Sequence, residues 1–339
     1  MVAAVVMIAL ATVVRSWRSN DGAGSDAPVA ADAPATIVCV TELRKVCEQL
    51  KAGRPWLTVV VEDAGRTYAT VTAADFDPVA AKVDAWLAPE PWPTMVDEAR
   101  QRRGASPVFA DGRKPLARSP LVIAIWNDRY AALERRCGAE PGWRCIGEVA
   151  GRPWADVDAG ATWGGEVKPG IAPPPTSAEG LLVAGQASAA YFGRSDIATN
   201  DFDDDFRRWF EQLADAATSA GANGAGRPPL DQMLSIGRAT FDLAGTTEAS
   251  AAAIRTGRDS GNIRILYPSP SATADLVAAV FTSSASASRL STALASPEVG
   301  AFLTTAGWRV NDQSLPPSNG LPRSGVLEDL RTRWQESTR

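Results

Sequence analysis

Small hydroxyl residues precede three predicted helices, and their type and position suit the binding of a polar or anionic group. Thr41 precedes ELRKVCEQL, Thr176 and Ser177 precede AEGLLVAGQASAAYF, and Thr246 and Thr247 precede EASAAA. The first turn of a helix has free backbone N–H groups and a partial positive charge, and a hydroxyl adds another donor. Such helix ends can bind an anion or a polar solute. The alternative is that each residue is a plain N-cap, a role in which Ser and Thr are common.

The residue types that most enzymes use for proton transfer are scarce. The chain has no histidine, which excludes His-based triads, His general bases and His metal ligands. It also lacks the GxSxG, GxxxxGK[ST] and CxxC motifs. A hydrolase that uses Asp or Glu stays open as an alternative, but no carboxylate pair stands out by its spacing. We therefore expect a protein that is not an enzyme, with no cofactor, no catalytic residues and no bound metal.

The size and charge of the chain limit its partners. Its 339 residues, 45% of them hydrophobic, exceed what one compact domain usually holds, so we expect two lobes. The formal net charge is −5, so the chain has no strong basic field. Nucleic acid is therefore not an expected partner.

Residues 1–34 are predicted to be a signal or membrane-anchor segment followed by a disordered linker. Residues 2–14 form an apolar run that is shorter than the roughly 20 residues of a membrane span and matches a signal-peptide core. Arg15 and Arg18 follow this run, whereas a signal peptide has its basic residues in front of it. We expect an extracytoplasmic protein, and cleavage of the segment and its retention as an anchor both stay open.

Four cysteines agree with export. Cys39 and Cys47 have the same short spacing as Cys137 and Cys145. Four cysteines allow three pairings, and we favour the two local ones because each closes a short loop. The second loop, CGAEPGWRC, has a Pro-Gly turn at its centre. Zinc binding is the alternative, although the spacing matches no common zinc pattern. Disulfides indicate an oxidising compartment outside the cytoplasm.

Strand-like and helix-like segments alternate along the chain. ATIVCV, WLTVVVED and SPLVIAIW are predicted strands, and the last is apolar enough to be buried on both faces. Helical spacing follows in TELRKVCEQLKAG, NDRYAALERRC and FDDDFRRWFEQLADAATSA. The alternation predicts an α/β protein with parallel sheets. Ligands of such folds bind beyond the carboxyl ends of the strands, where helices begin.

The order of the segments resembles bacterial extracellular solute-binding proteins with the type II periplasmic-binding fold, in the molybdate-binding-like branch of ABC transporter proteins. IVCVTELRKVCEQL resembles the first strand and its cleft-facing helix, and DAWLAPEPWPTMV resembles the second cleft loop. SPLVIAI resembles a strand that crosses between lobes, and PTSAEGLLVAGQA resembles the cleft helix of the second lobe. SPEVGAFLTTAGWR resembles the closing helix pattern. The resemblance extends over residues 35–310.

The resemblance implies an α/β fold of two lobes, each a sheet flanked by helices, with a cleft between them. Residues 35–117 and 268–330 would form lobe 1 and residues 118–267 lobe 2, with crossings near SPLV and LYPSP. The implied ligand-binding residues are Thr41, Glu42, Ala88, Ser119, Thr176, Ser177, Thr246, Thr247 and Tyr267.

Two features bear on the ligand, which we expect to be a small polar solute, either an oxyanion or a small organic molecule. Glu42, if it faces the cleft, would repel a molybdate-like anion, which favours a cationic or neutral solute. Trp86, Trp92 and Trp126 could stack on an organic ligand, although most tryptophans are core residues.

Two functions follow from these expectations. The first is capture of the solute in the interlobe cleft, for ABC-type uptake or for sensing. The alternative is a membrane-tethered domain that keeps the fold without a small-molecule ligand and acts as an interaction or regulatory protein. A polar, enclosed cleft would favour the first, and a cleft filled by large side chains the second. We expect a monomer whose protein partner is an ABC permease or another membrane protein.

Overall fold

Alternating strands and helices follow one another from residue 34 onward. The computed structural model describes residues 34–159, 161–221, 226–257, 261–310, 314–315 and 320–338. The apolar run and almost all of the predicted linker thus lie outside the described residues. In the described part of the chain, no helix combines the length and the apolar character that crossing a membrane requires.

The described strands share a single run of hydrogen-bonded neighbours in the order β2-β1-β3-β8-β4-β6-β5, and β7 pairs with β4 beside this run. Their bounds are β1 (Ala35–Val40), β2 (Leu57–Glu62), β3 (Ala85–Glu90), β4 (Ala117–Trp126), β5 (Pro169–Gly170), β6 (Leu243–Thr247), β7 (Ile263–Leu266) and β8 (Thr273–Val280).

Helices lie between the strands along the chain, both before and after β4. Their bounds are α1 (Arg44–Lys51), α2 (Ala64–Val71), α3 (Pro78–Ala81), α4 (Trp92–Arg102), α5 (Asn127–Cys137), α6 (Trp143–Val149), α7 (Trp154–Val157), α8 (Ala178–Phe192), α9 (Asp204–Gly221), α10 (Pro229–Ile236), α11 (Glu248–Ala251), α12 (Ala287–Leu294), α13 (Pro297–Thr305) and α14 (Ser324–Ser337). Short 3₁₀ turns cover Thr41–Leu43, Thr199–Asp201 and Ala252–Thr256.

Strand β4 belongs to two groups of strands. Its first residues, from Ala117 to Pro120, pair with β8, and its later residues, from Leu121 to Trp126, pair with β6 and β7. Every residue of β4 except Arg118 is buried, which confirms the prediction of a strand covered on both faces. We call the elements around β1, β2, β3 and β8 the first lobe, and those around β5, β6 and β7 the second lobe.

The sheet is mixed, which corrects the expectation of parallel sheets. The pairs β1–β2, β1–β3 and β5–β6 are parallel. The pairs that involve β4, and also β3–β8, are antiparallel. The alternation of strands and helices predicts the parallel pairs, whereas β4, which crosses between the lobes, runs antiparallel to each strand that it pairs with. The expectation of a two-lobed α/β fold is confirmed.

Both predicted local disulfides are present, Cys39–Cys47 and Cys137–Cys145. The first closes the loop from the end of β1 into α1, and this loop carries Thr41 and Glu42. The second joins the end of α5 to α6 in the second lobe. The turn that carries two of the predicted site residues is therefore covalently closed.

Candidate functional site

The first and second lobes touch where α8 begins. Residues 175–179 of the second lobe form backbone and side-chain hydrogen bonds with three elements of the first lobe. We call this contact, made by residues 175–179 with Glu42, Gly65 and Trp92, the seam. It lies just after the carboxyl end of β1 and beside that of β6, the position at which α/β folds bind ligands.

Glu42 places its carboxylate on the N-terminus of α8. Its Oε1 accepts hydrogen bonds from Ser177 Oγ at 2.7 Å and from the backbone N–H of Glu179 at 3.1 Å. Its Oε2 accepts from Thr41 Oγ1 at 3.2 Å. The N-terminus of a helix attracts negative charge, and in this structure the first lobe supplies that charge.

Two further contacts hold the same segment. The backbone N–H of Gly65 donates to the carbonyl of Thr176 at 3.1 Å, and Trp92 Nε1 donates to the carbonyl of Ala178 at 3.3 Å. A Cβ atom on Gly65 would lie 1.9 Å from the carbonyl oxygen of Pro175. Since real Cβ atoms do not approach backbone that closely, only glycine permits this approach of α2 to the seam.

Ser177 has two roles. It is the N-cap of α8, because its Oγ accepts a hydrogen bond from the backbone N–H of Gly180 at 3.0 Å. The same hydroxyl donates its proton to Glu42. One hydroxyl therefore starts the helix within its own lobe and binds the opposite lobe.

Glu179 is a buried carboxylate beside the seam. It accepts hydrogen bonds from Thr246 Oγ1 at 2.8 Å, from Thr247 Oγ1 at 2.9 Å and backbone N–H at 3.0 Å, and from Ser250 Oγ at 2.9 Å. Burial raises the pKa of this carboxyl, and the negative charge of Glu42 raises it further, while the donors from Thr246, Ser250 and Thr247 oppose the rise. Thr247 is also the N-cap of α11. The site thus contains two carboxylates at the first turn of α8: Glu42 accepts hydrogen bonds from this turn, and Glu179 belongs to it.

A second group of contacts lies where the chain crosses between the lobes. Ser119 Oγ on β4 accepts from the backbone N–H of Ala249 at 2.9 Å. Tyr267 donates its hydroxyl proton to Glu248 Oε1 at 2.6 Å. Arg309 donates to both oxygens of Glu248, from Nε and Nη2, at 2.8 Å each. These contacts tie α11 of the second lobe to the crossing strand and to the segment after α13.

The structure divides the predicted ligand-binding residues into two groups and leaves one apart. The group joined at the seam and through Glu179 is Thr41, Glu42, Thr176, Ser177, Thr246 and Thr247. Thr176 joins it by its backbone carbonyl, since its hydroxyl donates to Pro173. Ser119 and Tyr267 lie in the crossing group, and Ala88 is fully buried in β3. That any of them contacts a ligand stays a prediction.

Sequence reasoning missed Glu179, Gly65, Ser250, Glu248 and Arg309. A Glu in the first turn of a helix is usually an exposed complement to the helix dipole, so Glu179 carries no local sign of burial. The sequence around Gly65 does not show which part of the chain packs against it. Both roles depend on contacts between residues that are far apart in sequence.

The tryptophans proposed for stacking belong to the core. Trp86 and Trp92 have no exposed surface, and Trp126 is 2% exposed. Trp126 ends β4, and its Nε1 donates to the carbonyl of Phe241. Their burial corrects the hypothesis of ring stacking on a ligand, because no ring face is left open. Within the described ranges, no cluster of three or more His, Cys, Asp or Glu side chains could hold a metal ion.

Comparison with solved structures finds the same architecture at low sequence identity. A periplasmic thiamin binding protein shares 13% identity at a TM-score of 0.56, over 95% of this chain and 100% of that one. A ferric binding protein from Campylobacter jejuni shares 10% at 0.58, over 89% and 99%. The sulfate-binding protein SubI from Mycobacterium tuberculosis H37Rv shares 12% at 0.51, over 87% and 96%. These likenesses concern the fold alone.

Sequence comparison gives the family. A comparison with curated proteins found no match. A family model described as bacterial extracellular solute-binding protein matches residues 45–309, which is most of the chain and includes most of each lobe. An extracytoplasmic location follows from this description. The chain therefore belongs to the family of bacterial extracellular solute-binding proteins.

Proposed function

We propose that this protein captures a small polar solute between its lobes, for ABC-type uptake or for sensing. One observation carries the proposal: hydrogen-bonding groups from both lobes converge on the N-terminus of α8. Glu42 comes from the first lobe, Ser177 and Glu179 from the second. A solute that replaces some of these hydrogen bonds would be bound by both lobes at once, which is how closure of two lobes is coupled to binding.

The proposed lobe boundaries follow the crossing strands. Lobe 1 comprises residues 35–117 and 268–330, and lobe 2 comprises residues 118–267. The division of β4 between β8 and β6 supports a boundary near residue 118. Helix α14 extends past residue 330 and contacts α4 of the first lobe as well as α8 and α9 of the second. We therefore treat α14 as a connection between the lobes.

The proposed activity is reversible binding without a covalent step. The contacts at the seam are hydrogen bonds to the carboxylate of Glu42 and to backbone carbonyls, and the family is described by binding. We propose a monomer that works with an ABC permease or another membrane protein and does not bind nucleic acid. It would be either secreted or tethered by the N-terminal apolar run.

A thermal-shift screen of the full chain under oxidising conditions tests the proposal. The panel contains inorganic oxyanions, amino acids, sugars and polyamines. A solute that binds only the folded protein raises the melting temperature by mass action, and at ten times Kd we expect a rise of about 2 °C for a chain of this size. The rise should saturate with solute concentration and should be lost in Ser177→Ala.

The matched control is Ser296→Ala, because Ser296 caps α13 by the same kind of bond and lies outside the seam. It should lose only the stability that its cap contributes and keep the solute response. If no solute in a broad panel raises the melting temperature, the alternative of an interaction or regulatory domain without a small-molecule ligand takes its place. A response that Ser177→Ala retains would place the solute elsewhere in the molecule.

A further inference from the structure

The N-terminus of α8 already holds an anionic group, and that group comes from the opposite lobe. Glu42 is 135 positions away from Ser177 in sequence and receives the hydrogen bonds that a bound anion would receive there. A carboxylate with two donors on a helix N-terminus is a favourable arrangement. Any anionic solute that binds α8 in the same way must first displace Glu42.

The loop around Glu42 restricts where its carboxylate can go. Glu42 lies in a 3₁₀ turn between Cys39 and Cys47, and the disulfide closes that loop. Thr41 donates to the second carboxylate oxygen. Because the loop is short and the side chain is held at both oxygens, little conformational entropy remains to be lost when Glu42 binds α8. The loop therefore gives the Glu42 carboxylate a high effective concentration at the N-terminus of α8, and a free anion must compete with it there.

The surroundings add a second obstacle to anions. Glu179 lies beside Glu42, and in the described part of the chain neither carboxylate forms an ion pair with Lys or Arg. The hydrogen-bond donors around Glu179 are neutral hydroxyl and backbone groups. An anion at the seam would meet uncompensated negative charge, whereas a cation or a neutral solute would not.

We propose that Glu42 is the specificity-determining residue of the seam, an internal competitor that excludes anionic solutes and leaves cationic or neutral ones. This inference rests on the proposed function, because it assigns a solute class to the same site. It also makes a claim that needs no solute: the position of the Glu42 carboxylate is an anion-binding position that an external carboxylate can fill.

Chemical rescue tests this claim. In the full-length Glu42→Ala variant, acetate should bind at the vacated position and raise the melting temperature by about 2 °C at ten times its Kd. Wild type should show no saturable response to acetate, because Glu42 occupies the position. Glu298→Ala is the matched control, since Glu298 on α13 is paired with Arg54 and lies outside the seam. Acetate that stabilises all three proteins equally, or none of them, overturns the proposal.

A second variant covers the case in which Glu42→Ala does not fold. Glu42→Gln keeps the size of the side chain and removes its charge. Amide hydrogen exchange at Glu179, whose N–H donates to Glu42, should become about tenfold faster in this variant, as expected when a charged acceptor is replaced by a neutral one. Unchanged exchange at Glu179 would overturn the proposal.

The failures of the two proposals can be told apart. If the solute screen gives no response but acetate rescues Glu42→Ala, the anion-binding position is real and the proposed function fails. If wild type binds sulfate saturably and Ser177→Ala does not, the proposed function holds and the exclusion of anions is wrong.

Discussion

Two of the places where the lobes meet have opposite character, the seam and the helix α14. The seam is held by hydrogen bonds: to Glu42, between backbone groups, and from the indole N–H of Trp92 to the carbonyl of Ala178. The contacts of α14 are mainly apolar. Leu327 is fully buried and packs into the groove at Gly185 of α8, and Trp334 meets Phe210 of α9 edge-on at 5.8 Å between ring centroids.

Helix α14 also contacts the first lobe. Ser324 Oγ donates to Glu98 of α4 at 2.7 Å, and the guanidinium of Arg331 lies 4.4 Å from the ring centre of Tyr68 on α2. The helix thus connects both lobes through a largely buried face.

This difference in polarity indicates which of the two contacts, the seam or α14, can open. A hydrogen bond exchanges protein partners for water at a net cost of about 1 kcal/mol, and bonds to charged groups cost somewhat more. Exposing a buried Leu or Trp costs about 2 kcal/mol or more for each side chain, and water does not replace the lost apolar contacts. We therefore expect the lobes to part at the seam while α14 stays packed.

Leu327→Ala should lower the free energy of unfolding by about 3 kcal/mol, because it removes a fully buried side chain and leaves a cavity against α8. Chemical denaturation measures the loss. Leu290→Ala is the matched control, since Leu290 is also fully buried but lies in α12 beside the first lobe. Both variants should lose similar stability, and only Leu327→Ala should alter contact between the lobes. A loss below about 1 kcal/mol would show that the packing of α14 does not hold the two lobes together.

Replacing Cys39 and Cys47 together by Ala should cost roughly 2.5 kcal/mol, the chain entropy of a short loop. Replacing Cys137 and Cys145 should cost a similar amount, because the loop has the same length. The two variants should differ at the seam: only the first frees the turn that carries Glu42, so only it should speed amide exchange at Glu179. Equal exchange rates at Glu179 in both variants would show that the Cys39–Cys47 disulfide does not help to hold Glu42 at the seam.

Gly65→Ala should cost about 2 kcal/mol, because its Cβ would overlap the backbone oxygen of Pro175 and push the seam apart. Gly325→Ala in α14 is the matched control, since nothing lies within 4 Å of its Cβ position. That change should stabilise the helix by up to about 1 kcal/mol. If thermal denaturation gives the same sign for both variants, α2 does not approach the seam as described.

Much of the local structure can be predicted from the sequence, and the reasons lie in particular residues. Ser177 and Thr247 precede helical segments and are found as N-caps. The disulfides follow from two short cysteine spacings. Each of these inferences uses residues that are close together in the chain.

The chemistry of the site could be predicted only in part. The sequence predicts that Glu42 would repel an anion if it faces the cleft, but its partner, the N-terminus of α8, is more than 130 positions away. The burial of Glu179 depends on Thr246 and Thr247, which reach it only after β6 is placed in the sheet. Contacts of this kind depend on tertiary structure, so neither propensity nor periodicity predicts them.

Glu179→Gln should change the pH dependence of stability. Because the pKa of Glu179 is raised in the folded state, its contribution is fully present below its ordinary value of 4.5 and is lost as pH rises through the folded-state value. Wild type should therefore lose stability relative to Glu179→Gln above pH 4.5, by about 1.4 kcal/mol for each unit of the rise. Denaturation at a series of pH values measures this difference. Parallel profiles for the two proteins would contradict the raised pKa.

The distance between the lobes shows whether Glu42 holds the seam closed. Spin labels at Gln49→Cys in α1 and Ser235→Cys in α10 report on the two lobes, since both positions are exposed and the native cysteines are all in disulfides. Pulsed electron paramagnetic resonance should give one narrow distance distribution in wild type. We predict a broader distribution at longer distances in Glu42→Ala, and a return to the narrow one when acetate is added. The same distribution in all three samples would contradict a seam held by Glu42.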